Sequence, residues 1–173
     1  MKRLTRILKR GNTPVLVLAI ATGALVALVV AGFEVLTDRV LLARLGERPL
    51  WQIALAPAVG LSAAAIILRV LGRGTASATS DEFVRAFHQR TPRLPLRDLP
   101  AKLLAGVATI GLGGALGLEG PSIYAGSATG LAVSERFRQW LRREDIQVLL
   151  TAGAAAGVAA VFKAPATGVL FAL

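Results

Sequence analysis

Long uncharged runs alternate with charged segments along this chain, and the lengths of the runs carry the first information. Val15 to Phe33 gives nineteen residues without a charge, enough for a helix to cross a bilayer core of ~30 Å. Glu34 to Arg48 follows with three acids (Glu34, Asp38, Glu47) and three bases (Arg39, Arg44, Arg48). This balanced, short stretch suits the outer side. A second uncharged run extends from about Leu50 to Leu68, with Trp51 placed to anchor its outer end at the membrane interface. Pro57 and Gly60 inside it are tolerable where neighbouring helices re-satisfy the backbone.

Arg69 to Lys102 is the long polar segment, with seven bases against Asp81, Glu82 and Asp98. Its middle reads as a helix start, with Ser80 or Thr79 as N-cap and two acids in the first turn. The spacing predicts a short helix over 81–89 carrying a solvated His88, then a link broken by Pro92, Pro95 and Pro100. Lys102 to Val133 is too long for one straight span. Gly117-Leu-Glu-Gly-Pro121 breaks it, because proline removes a donor and favours the first turn of a new helix. The expected arrangement is a helix to about Gly111, a glycine-rich turn, and a second helix from Pro121 to about Arg138. Such a re-entrant pair keeps non-helical backbone at membrane depth, which survives only under a cover of protein or water. Ser134 to Asp145 holds four Arg against three acids, which returns the pair to the cytoplasmic side. Gln147 to Phe162 predicts a further small-residue helix. Lys163-Ala-Pro165 interrupts it, and Ala166 opens another apolar helix that runs to the last residue, Leu173.

Composition agrees with a membrane protein. The chain is 54% hydrophobic with 17% charged residues and a mean hydropathy of +0.63, against roughly 45–50% apolar and 25% charged in soluble domains. Its 20 Lys and Arg outnumber the 10 acids, but they flank apolar runs instead of striping one face. Two Trp, one Tyr and six Phe offer little for base stacking, so nucleic acid is not an expected partner. Residues 1–13 form a basic segment with Lys2, Arg3, Arg6, Lys9 and Arg10, which the positive-inside rule holds in the cytoplasm. A signal peptide also starts basic, but its apolar core is only ~7–15 residues. Residues 14–173 then form an all-α, multi-span bundle with broken, re-entrant helices. The chain ends inside an apolar run, so it reads as part of a larger membrane protein in the cell membrane.

One residue concentrates the chemistry. Glu119 is the only charge between Lys102 and Glu135, and an acid inside a membrane segment marks function by default. It sits where a broken helix begins. There the unpaired N–H groups and the helix dipole make an anion site without a full positive charge, and Gly117 and Gly120 let a ligand approach the backbone. Ionised, Glu119 occupies that site itself; protonated, it yields to a diffusing anion. A helix-capping glutamate is the simpler reading of the same spacing. Gly111-x-Gly-Gly-x-x-Gly117 also matches a dinucleotide loop, with Glu135 near the ribose-binding distance, but such a loop follows a strand and this one follows an Ala/Gly-rich helix. No His/Asp/Glu cluster has metal spacing and no catalytic constellation is visible, so neither metal, cofactor nor enzyme activity is expected. Gly126-x-x-x-Gly130 and Gly153-x-x-x-Gly157 are small-xxx-small patterns, read as tight helix packing. A non-transporting membrane subunit that binds partner helices through such faces is the alternative class.

Gly117-Leu-Glu119-Gly-Pro121 resembles the Gly-Lys/Arg-Glu-Gly-Pro motif of the CLC family of chloride channels and chloride/proton antiporters. The likeness continues through Gly126-x-x-x-Gly130 and Thr151-Ala-Gly-Ala-Ala-Ala-Gly-Val-Ala-Ala-Val-Phe-Lys-Ala-Pro165-Ala-Thr-Gly-Val-Leu-Phe171. It implies a homodimer with one anion path per subunit, each built from two inverted halves, of which this chain is most of the first. It assigns Glu119 the role of gate for chloride and protons, with the amides of Leu118 to Gly120 lining the outer anion site. Leu118 departs from the family by removing a positive charge near the pore. The family's Gly-Ser-Gly-Ile-Pro motif has no clean counterpart. By position Ser77 matches its anion-touching hydroxyl, with Thr79 and Ser80 as alternatives. The residue that separates channel from antiporter is expected just past Leu173.

Overall fold

The computed structural model describes residues 13–73, 75, 77–89 and 92–172. The described residues are helical with no strand. The basic segment with Lys2 to Arg10 lies outside them.

The first helix, α1, runs Thr13–Gly46. It is α-helical over Thr13–Glu34, π-helical over Val35–Leu42 and α-helical again over Ala43–Gly46. The charged stretch Glu34 to Arg48 is therefore mostly helix. No Pro or Gly falls between Glu34 and Leu45, so nothing interrupts the backbone ladder. Charge balance in this stretch reports the surroundings of the side chains and does not stop a helix. The chain breaks only at Glu47 to Pro49. Thr22, Val26, Val30 and Phe33 are buried at helical spacing, while Leu16, Val17, Ile20, Leu25 and Leu28 point outward. An apolar outer surface of this kind suits lipid.

The second helix, α2 (Leu50–Val70), also faces outward through Leu55, Val59, Leu61 and Ile66, and Trp51 is exposed in its first turn. Ala56, Gly60 and Ala64 form its buried stripe. A Cβ at Gly60 would lie 2.5 Å from the Ala108 carbonyl oxygen of α4, so the missing side chain lets the two backbones meet. The polar segment then contributes α3 (Ser80–His88). His88 is exposed, and its Nδ1 lies 2.8 Å from the Val84 carbonyl oxygen. A 3-10 turn at Leu96–Asp98 leads into α4 (Leu99–Gly111). Thirteen residues of α-helix reach about 20 Å, short of a ~30 Å core.

The chain turns through residues 112–118 into α5 (Glu119–Arg136), two residues earlier than Pro121. Gly113, at φ +83°, and Gly114 close α4 by donating to Ile110 and Thr109 carbonyls at 2.9 Å each. A 3-10 turn at Arg138–Trp140 precedes α6 (Arg143–Phe162), and α7 (Pro165–Ala172) ends the described chain. Helix α6 begins four residues before Gln147, because the Asp145 carboxylate accepts the Arg142 backbone N–H at 2.7 Å and caps the extra turn.

Helix α5 is the central element. Ser122 to Ala128 are all buried, and α1, α3, α4 and α6 surround it. Glycines set the contact with α6: added Cβ atoms at Gly126 and Gly153 would overlap each other's carbonyl oxygens, and one at Gly157 would overlap that of Ser122. The two small-xxx-small patterns therefore face each other, which is the close packing such patterns permit. The buried Ser127 and Ser134 hydroxyls return to their own helix, Ser127 donating to the Ile123 carbonyl at 2.6 Å and Ser134 to that of Leu131 at 2.7 Å.

Candidate anion site at the start of the fifth helix

The break before α5 positions Glu119 as its first residue. Leu118 takes the N-cap position and offers no side-chain cap. The first bond across this end is Ser122 N–H to the Leu118 carbonyl at 3.2 Å. The amides of Leu118, Glu119 and Gly120 thus precede the intrahelical ladder, and Pro121 has no N–H to add. Positive dipole potential collects at this end.

Gly117 and Gly120 serve different neighbours. The Glu119 carboxylate folds back into the space that a side chain at 117 would fill, and a Cβ there would stand 2.6 Å from its Cδ. On the far side of Gly120 lies Thr79, whose Oγ1 would be 2.5 Å from an added Cβ, with Ser80 Oγ at 3.9 Å. Thr79 is the N-cap of α3, yet its side chain makes no capping bond. The starts of α3 and α5 therefore converge. Ser77 is exposed, and the hydroxyls that meet Gly120 are those of Thr79 and Ser80. Among the described residues, Glu119 takes part in no ion pair.

Two residues that the sequence did not single out shape the site. Lys102 is only 3% exposed. Its ammonium donates to the Ala78 carbonyl at 2.5 Å and to Glu82 at 3.1 Å, and it lies 4.4 Å from the centre of the Tyr124 ring. Tyr124 in turn donates to the Pro95 carbonyl at 3.1 Å. One buried cation thereby ties the corner before Thr79 to α3, α4 and α5. Its intermediate position in sequence, at the edge of a polar segment, gave no sign of burial. Ser122, in the first turn of α5, is fully buried, and its hydroxyl has no partner among the described residues. Among those residues no group of His, Cys, Asp and Glu could hold a metal ion.

Residues 59–173 match the family model for the voltage gated chloride channel. The chain belongs to that family. Its relatives include proteins named H+/Cl− exchange transporter ClcA. Those from Salmonella paratyphi B and Salmonella arizonae are each 32% identical, over 98% and 96% of this chain. The crystal structure of a slow cyanobacterial Cl−/H+ antiporter superposes with a TM-score of 0.72 at 26% identity over 90% of the chain. The chain spans about 38% of the length of the first of these relatives and of the antiporter chain. Membership in this family, together with three helices among the described residues that are long and apolar enough to cross a membrane, makes it an integral membrane protein.

Proposed function

We propose that the chain is the first of two inverted halves of a chloride transporter whose anion path is gated by Glu119. The observation that carries this reading is the place of the Glu119 carboxylate. It lies against Gly117 at the first turn of α5, where an anion would itself be stabilised. An ionised Glu119 competes for that position, and protonation releases it. Chloride is the cargo in keeping with the names of the relatives, and exchange against protons follows the same names.

The amides of Leu118 to Gly120 are the backbone donors of the proposed site. Thr79, with Ser80 beside it, is the hydroxyl we favour over Ser77, because its Oγ1 is the side-chain atom nearest Gly120. The working unit in this reading is a homodimer in the bilayer, with the basic N-terminus in the cytoplasm. The excess of bases in residues 69–102 supports that orientation.

The test is chloride flux against pH in liposomes holding the full-length protein and its Glu119→Gln variant. Wild type should carry more chloride as the pH falls, and the variant should transport with a flat profile. An unchanged pH response in the variant would sink the gating role.

A further inference from the structure

We propose that Lys163 is an anion-recruiting residue at the mouth of the path beside α5, with Glu34 partly masking its charge. The proposal rests on the chloride-transport reading above and adds a residue to it.

Helix register places Lys163. Helices α5 and α6 are antiparallel, with Ser122 opposite Gly157, Gly126 opposite Gly153 and Gly130 opposite Leu149. The two numbers in each pair sum to 279, so Glu119 falls level with residue 160 and Lys163 lies three residues further on. At 1.5 Å per residue that is about 4.5 Å beyond the level of Glu119, past the N-terminus of α5. Glycine contacts hold the two helices close, so the register puts a full positive charge near the level of the proposed anion site. Lys163 is the first cation after Arg143, and none lies between Lys102 and Arg136.

Two backbone departures meet at this residue. Lys163 ends α6 in the left-handed region, at φ 52° and ψ 29°, with its N–H closing onto the Ala159 and Ala160 carbonyls. Glycine or asparagine takes this position at less cost, so a lysine here is held against backbone preference. Its ammonium reaches Glu34 at 2.6 Å, the last residue before α1 turns π-helical. Non-glycine residues in the left-handed region and π-helical turns both concentrate at functional sites. The Lys163 side chain is 70% exposed and that of Glu34 is 25% exposed. The cation is therefore the more open member of the pair.

A recruiting charge and a structural staple predict opposite patterns. Both Lys163→Gln and Glu34→Gln break the ion pair, so a staple gives the same direction of change in each. For recruitment the signs differ. In liposomes holding the full-length protein, Lys163→Gln should raise the half-saturating chloride concentration about two- to tenfold, the worth of one partly screened charge, with maximal flux near wild type. Glu34→Gln should lower it, and Lys163→Arg should keep the wild-type value. The charge-swapped Lys163→Glu/Glu34→Lys protein keeps a pair but should not restore chloride affinity. Shifts in one direction for both Gln variants, or no shift in either, while wild type carries chloride, would overturn the proposal. A wild type that carries no chloride would overturn the transport reading first.

Discussion

At the scale of single residues, the contacts of this chain are set as much by absent side chains as by present ones. Gly126 and Gly153 bring two backbones together, so a side chain at either has no direction in which to move. Gly126→Val should destabilise the bundle by at least ~1–3 kcal/mol, the range for overpacking a close-packed site. The check is a lower melting temperature in detergent and less folded protein in the membrane. Gly32, where an added Cβ meets nothing within 4 Å, should accept alanine with little change.

Lys102 presents the reverse case, a cation whose burial is justified only by its partners. Replacing it with Met keeps volume and leaves the Ala78 carbonyl and the Glu82 carboxylate without that donor. A buried acceptor left unpaired costs about 1–3 kcal/mol, and the loss should show as a lower thermal midpoint. Because Ala78 precedes Thr79, chloride affinity should fall as well. A midpoint and an affinity both equal to wild type would remove Lys102 from the support of the site.

At the scale of elements, sequence and structure agree where a backbone rule operates. Pro121 and the glycines around it announced a broken helix, and the break lies between Gly111 and Glu119. The small-residue spacings announced close packing, and Gly126 faces Gly153. Charge said nothing of the backbone at Glu34 to Gly46, where helix continues because no Pro or Gly before Gly46 disrupts the backbone bonds. The convergence of α3 and α5 was legible only in part. It joins residues some forty positions apart, and no periodicity in either segment encodes which hydroxyl of Ser77, Thr79 and Ser80 turns toward Gly120. Burial of Lys102 was equally hidden, since it depends on a carbonyl, a carboxylate and an aromatic ring from three other segments.

At the scale of the molecule, the site is built from one side. Two helix starts, those of α3 and α5, meet at Gly120, and in the proposed reading Glu119 stands between an incoming anion and the amides. An anion leaving water needs donors around it, because partial dehydration is costly unless the lost contacts are replaced. In an inverted-repeat transporter the site lies at the repeat interface near the midplane, so the second repeat supplies the remaining donors. The 173 residues correspond to about 38% of the length of the ClcA relative and, in the proposed reading, hold one repeat. Residues 1–173 alone should therefore insert into a bilayer, since the outward faces of α1 and α2 are apolar, yet carry no chloride. Liposomes holding this segment should release chloride at the background rate, while those holding the full-length protein release it faster. Chloride release by the segment above background would mean that the donors near Gly120 suffice without a second repeat.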